Sequence, residues 1–319
     1  MLGEFLDKAT SFFDRRFLMA YWFPTLISLL VGLLIYSLPE NGEPLYKYFS
    51  ALQSDSFSSQ LILLLGTLLF TLVLAYLLQA FSHSFVQFWE GYWPKTFWNL
   101  YTNNRKRMNE IWDELKDERT SAAENKLNSY PFLQEKLFYE YPSKKERLLS
   151  TQLGNVLRAA EDYAETTYGM NVVFWWPRLW LIMPESVQKQ IDDSETPIIA
   201  LLNLATQLGI ITLIGFIYLC IKYTGSWKLW IFHAAIITLI LGLILTITAY
   251  RGAVSQAIVY GVLIRSTVDI YRFDLLKVLH QKLPSNLSEE KKLWDNMYKW
   301  VYLVQPRNAP PYTHDQTKT

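Results

Sequence analysis

Three observations predict an all-α, polytopic membrane fold: a high apolar content, four long uncharged runs, and a one-sided distribution of basic residues. Of the 319 residues, 51% are hydrophobic, 16% aromatic and only 18% charged, against about 25% charged in an ordinary soluble protein. A helix needs roughly 20 apolar residues to cross a hydrocarbon core of about 30 Å. Residues 17–38, 61–81, 198–221 and 229–250 meet that length without an Asp, Glu, Lys or Arg. They read as four transmembrane helices in two hairpins, residues 17–81 and 198–250.

Arg15 and Arg16 precede the first run and Pro39 follows it. The run is too long for a signal-peptide core and no A-x-A cleavage site follows, so it is expected to be a retained span. Pro197 stands where a first helical residue tolerates a missing N–H. The third and fourth runs are expected to turn about Gly225.

Orientation follows from Lys and Arg. Residues 82–197 and the tail after Tyr250 hold nearly all of the 30 basic residues, whereas 39–60 contains only Lys47. The N-terminus (1–16), a central helical domain (82–197) and a helical tail (251–305) are therefore expected on the cytoplasmic side, with a disordered C-terminus at 306–319. The outward loops are too short for a folded domain of about 50 residues. A net charge of +1 leaves no footprint for nucleic acid. Cys220 is alone, which excludes an internal disulfide or a Cys-based zinc site.

Phe85, Phe88, Trp89, Tyr92 and Trp93 are spaced for one face of a helix continuing from the second span, in the headgroup region where amphipathic rings are favoured. Pro94 then bends or ends that helix. A charged helix over 104–127 carries a narrow apolar stripe, Met108, Ile111, Trp112 and Leu115, and its charges read as a solvated face. The stretch TQLGNVLRAAEDYAETTYG, from Thr151, reads as a helix stopped by Gly169. Arg158 can pair with Glu161 or Asp162 one turn on, and the small Ala159 and Ala160 allow a close helix approach. Asn155, Arg158, Glu161 and Asp162 are the candidate partner-docking residues.

The segment NVVFWWPRLWLIMP, 171–184, is too short to span. Val172, Val173 and Phe174 favour an extended start, and Pro177 can open a helical turn with Trp176 and Trp180 on one side. It reads either as an interfacial element or as a buried part of the cytoplasmic domain. In the first reading Trp89, Trp93, Trp175, Trp176, Arg178 and Trp180 are interfacial anchors. Beyond the fourth span the helical spacing continues through Val268, Tyr271, Leu275 and Leu279, with Arg265 and Asp269 one turn apart. Ser288, Lys291 and Trp294 suggest one more short helix.

The runs LGNVLRAAEDYAETTYG, WPRLW and DIYRFDLLKVLHQKLP, with KLWDNMY in the tail, resemble an uncharacterised group of bacterial four-span inner-membrane proteins. The likeness covers roughly a third of the chain. It implies a multi-pass protein of the bacterial inner membrane and carries no activity, cofactor or catalytic residue.

Glycines are too dispersed for a phosphate-cradling loop. The four histidines are scattered, with no pair at metal-ligand spacing. The expectation is a non-enzymatic protein without cofactors, whose partners are the lipid bilayer and a protein bound, or a second copy met, through the cytoplasmic domain. Asn203, Thr206 and Gln207 share one face of the third span, with Thr246 expected level with Asn203. These residues either hold the spans together by hydrogen bonds or, in an oligomeric ring, line a channel or membrane-permeabilising pore narrowed by Ile210, Ile211 and Ile214.

Overall fold

The computed structural model describes residues 14–52, 57–94, 96, 98–305, 307 and 309, and every regular element among them is helical. In chain order these are α1 (Arg15–Glu40), α2 (Glu43–Leu52), α3 (Phe57–Glu90), α4 (Trp98–Glu124), α5 (Tyr130–Glu140), α6 (Gln152–Tyr168), α7 (Val172–Ile182), α8 (Glu185–Ser226), α9 (Leu229–Val278) and α10 (Leu287–Val301). Helices α1, α3, α8 and α9 are long and apolar enough to cross a membrane, which marks a multi-pass membrane protein. The chain divides into two compact units. One comprises Met1–Phe88 and Thr196–Ala253, the other Trp89–Glu195 and Val254–Thr319.

In the first unit large apolar side chains point outward, among them Ile62, Leu69, Ile214, Ile237 and Leu241, all more than half exposed. Small residues sit instead where helices cross, as expected where lipid removes the hydrophobic drive to associate. Ala20 and Ala75 are fully buried. A Cβ on Gly215 would lie 2.8 Å from Ile35. Helices α8 and α9 meet with Gly209 beside Thr246 and Gly242 against Thr212. Asn203 is therefore not level with Thr246, as a turn about Gly225 would have placed it. The reason is that α8 runs helically past Gly225 to Ser226, and Trp227 makes the turn with φ 53°.

Helix α1 contains a π-turn at Leu18–Trp22, with Pro24 two residues beyond its end. Proline has no N–H to give to the carbonyl one turn back. That carbonyl is Ala20 O, and Asn203 Nδ2 of α8 donates to it at 2.9 Å. Gln207 Nε2 donates to Thr25 Oγ1 at 3.4 Å. On the other side of α1, Tyr21 OH donates to Ser82 Oγ at 3.3 Å and Trp22 Nε1 to Thr71 Oγ1 at 3.0 Å. Thus α1 is hydrogen-bonded to both α8 and α3.

The second unit is built around α6. Thr151 caps its start, accepting from Gly154 N at 3.1 Å, and Gly169 at φ 77° ends it in the left-handed region, its N–H donating to Glu165 O at 3.0 Å as in the αL cap. Two expectations fail nearby. The aromatic helix stops at Glu90, before Pro94, because Gly91 takes φ 97°, so Tyr92 and Trp93 leave the face of Phe85 and Trp89. Pro197 does not open a helix but lies inside α8, which begins at Glu185.

Residues 172–182 form α7 from the first valine on, with no extended start. Asn171 caps it by accepting from Phe174 N at 3.0 Å, and the cap overrides the β preference of Val172 and Val173. Trp175 is buried edge-to-face against Trp294 of α10, centroids 5.4 Å apart, among Met170, Leu179, Val268, Leu275 and Met297. Trp175 is thus a core residue and cannot be an interfacial anchor. Trp176, Arg178 and Trp180 stay half-buried; Trp176 and Trp180 pair on one side and Arg178 sits over Phe174. Beneath this core Arg272 Nε donates to Glu290 Oε1 at 2.9 Å, and both side chains are largely buried.

Candidate functional site

The second unit carries a cleft of about 250 Å³ lined by four elements. Helix α4 supplies Trp112, Lys116 and Arg119, and α5 with the following loop supplies Gln134, Phe138, Tyr141 and Ser143. Helix α6 contributes Asp162, Tyr163, Thr166 and Thr167, and α9 contributes Arg265. The stripe on α4 explains the geometry. Trp112 and Leu115 are buried against Leu133, Tyr141 and Leu148, which turns Lys116, one residue further round, to the opening. The charged face of α4 is therefore partly the wall of a site and not only a solvated surface.

Arg265 is the unusual member. Only 5% of it is exposed, and its guanidinium lies over Phe138 at 4.3 Å and Tyr139 at 5.0 Å. Its Nη2 donates to Phe138 O at 2.8 Å. This carbonyl belongs to the last turn of α5, where helical carbonyls lack partners and a cation is favoured. Nε and Nη1 are buried and have no acceptor. The pairing expected with Asp269 one turn along α9 does not carry these donors. Asp269 instead accepts from Tyr163 OH at 3.1 Å and Tyr168 OH at 2.9 Å.

Among the described residues the one carboxylate on the cleft wall is ion-paired. Asp162 Oδ2 accepts from Arg147 Nε at 2.6 Å, with Oδ1 2.5 Å from Arg147 Nη2. This hydrogen bond to Asp162 holds the Arg147 guanidinium above its ordinary pKa. Burial, with Glu140 nearby, pushes the Tyr141 phenol up to about 12, so it stays a neutral donor. Lys116 and Arg119 have no carboxylate partner among the described residues. Lys116 Nζ lies 4.4 Å over the Trp112 ring, and Arg119 Nη1 donates to Gln134 Oε1 at 3.1 Å.

The docking residues expected on α6 divide in two. Asn155 is fully buried and clamps the preceding turn, accepting from Leu149 N at 2.7 Å and donating to Leu149 O at 3.2 Å. Asn155 is internal to the fold and leaves nothing for a partner to read, whereas Asp162, buried, lies on the cleft wall. Arg158 and Glu161 remain half-exposed, 3.6 Å apart, and Arg158 also donates to Tyr92 OH. Burial raises the Glu161 carboxyl above its ordinary pKa, with Arg158 opposing. Ala160 meets Gly261 of α9, where an added Cβ would lie 3.2 Å away, so the small-residue face serves a close helix crossing.

The intramembrane polar face is used within the subunit. Asn203 and Gln207 are buried and donate to α1 as described, while Thr206 and Thr246 donate to Leu202 O and Gly242 O of their own helices. Sequence reasoning found these residues but missed Ala20 and Thr25 as their acceptors. It also missed the convergence of Lys116, Arg119 and Arg265, which lie on elements far apart in the chain. The chain matches no family model, and neither a curated protein nor a solved structure shows significant similarity to it.

Proposed function

We propose that this is a non-enzymatic integral membrane protein of the bacterial inner membrane, whose spans anchor a cytoplasmic helical domain that binds a ligand in its cleft and so senses a cytoplasmic signal. The observation that carries the reading is the cleft itself, which brings the cations Lys116, Arg119 and the buried Arg265 together from helices far apart in the chain. The excess of Lys and Arg in residues 82–197 and after Tyr250 supports the cytoplasmic side, and the resemblance of LGNVLRAAEDYAETTYG and WPRLW supports the bacterial membrane. A pore lined by the third span has no comparable support, because Asn203 and Gln207 donate within the subunit.

Two measurements in cells test the reading. With Cys220 replaced by Ser, a cysteine at Glu43 should react with a membrane-impermeant thiol reagent added outside, and one at Lys106 should not. A photo-crosslinking residue at Thr167, on the cleft, should give an adduct that the same residue at Lys106 does not. Labelling of Lys106→Cys from outside would refute the orientation, and absence of any cleft-specific adduct would refute the sensing role.

A further inference from the structure

We infer that the cleft of the second unit is a binding site for a small phosphate ester, with Arg265 as its buried cation and Lys116 and Arg119 as its outer ones. The inference rests on the sensing reading and names the chemistry of the ligand. Among the described residues three cations line the cleft, and the one carboxylate there, Asp162, is ion-paired with Arg147, whose Nε donates to Oδ2. The wall is therefore positive toward whatever enters. Arg265 is fixed before any ligand arrives, because Nη2 caps α5 and the rings of Phe138 and Tyr139 clamp the guanidinium plane. Stacking on aromatic faces partly offsets the burial of its charge.

The donors approach from four elements, which favours phosphate over carboxylate. Lys116 and Arg119 come from α4, Ser143 from the loop after α5, Thr166 from α6 and Arg265 from α9. A phosphomonoester offers three terminal oxygens in separate directions, whereas a carboxylate offers two in one plane. Ser143 Oγ and Thr166 Oγ1 lie 3.2 Å apart and share one hydrogen bond, so one hydroxyl proton remains for a ligand. The volume, about 250 Å³, is below the roughly 300–1,000 Å³ typical of drug-sized ligands. This favours a monophosphate of a small metabolite over a dinucleotide. Phe138, 43% exposed, leaves ring surface for an apolar or planar part of such a molecule.

The same phosphomonoester chemistry occurs free in solution and as the headgroup of phosphatidic acid, and one calorimetric experiment separates them. The full chain in phosphatidylcholine nanodiscs is titrated with AMP and with inorganic phosphate. Saturable binding of AMP is expected, with inorganic phosphate competing. The Lys116→Gln, Arg119→Gln double variant should weaken AMP by about tenfold, the size expected for losing charge-assisted contacts. Arg265→Gln should abolish binding. Because Arg265 also caps α5, a failure of that variant to fold would leave the double variant, which alters exposed and half-exposed side chains only, as the deciding measurement. Phosphatidic acid added to the discs should leave AMP binding unchanged if the natural ligand is soluble, and suppress it if the ligand is a headgroup; either result retains the phosphate site. The proposal is overturned if neither AMP nor inorganic phosphate binds saturably, or if the double variant binds AMP as tightly as the wild type. A cleft-specific crosslink at Thr167 without phosphate binding would overturn the ligand class and leave the sensing reading standing.

Discussion

In the first unit, Asn203 and Gln207 each send one amide across a helix crossing to an acceptor on α1, and apolar side chains crowd the outside. In the second, Arg272 and Glu290 form a buried ion pair beneath a core of Trp175, Trp294 and Met297, and polar networks run through Asp162 and Asp269. On the proposed arrangement, with the first unit in lipid and the second in water, the difference follows from the surroundings each unit must satisfy. Where lipid is as apolar as leucine, burial gives little association energy, so close crossings and single hydrogen bonds set the geometry. Where water surrounds the fold, apolar burial drives packing at about 25 cal/mol per Å², and ion pairs can be enclosed once that core exists.

The largest effect that would sharpen this contrast is in the ion pair. Arg272→Met should destabilise the second unit by about 3 kcal/mol or more, because it strands the Glu290 carboxylate. Adding Glu290→Leu should restore much of the loss, read as urea midpoints of the full chain by hydrogen exchange over α6 and α10. Steric substitutions come next. A Cβ on Gly154 would run into Glu90 O, and one on Gly242 would lie 2.7 Å from the Thr212 Cβ, neither of which a rotamer change can move. Gly154→Ala and Gly242→Ala should therefore each cost about 2–3 kcal/mol. A cost near zero at either would show that its helix crossing is loose.

Smaller still is the interhelical bond of the first unit. Asn203→Leu should cost about 1 kcal/mol, measured by steric trapping in bicelles. Pro24→Ala in that background should recover part of it by giving Ala20 O a donor within α1. No recovery would show that the Asn203 bond does not substitute for the missing proline N–H. The smallest effect concerns pH. The Glu161 carboxyl titrates higher in the fold than in the unfolded chain. Its contribution is most favourable below the unfolded pKa and is lost as pH rises through the folded value. Glu161→Gln should therefore gain slightly in urea midpoint relative to the wild type at pH 8 and not at pH 4. Solvent screening keeps the effect small at this half-exposed site.

Local signals in the sequence were the reliable ones. Thr151 and Gly169 delimit α6 because capping depends on residues within a turn of each other, and the uncharged runs fall in four long apolar helices because length and composition suffice to find those. Pro197 misled because α8 continues through a residue that usually marks a helix start. The rings of α7 were legible as a cluster, but their sides were not: Trp175 finds Trp294 more than a hundred positions away. The cleft was illegible for the same reason. Arg265 looked like half of an Arg265–Asp269 pair, and only the approach of α5 and α6 turns it to Phe138 and gives Asp269 to two tyrosines.

The bond between Asn203 and Ala20 also bears on how the spans find one another during insertion. Along most of α1 each carbonyl is occupied by its own helix, so a neighbouring helix slides past without preference. Pro24 vacates one carbonyl, and a single amide on α8 matches it. Displacing α8 by a turn would bring Gln207, not Asn203, to Ala20 O and so keep at most one of the two bonds. The two amides on α8 and their two acceptors on α1 thus act together as an address, favouring one alignment in a medium that otherwise offers little to choose between them.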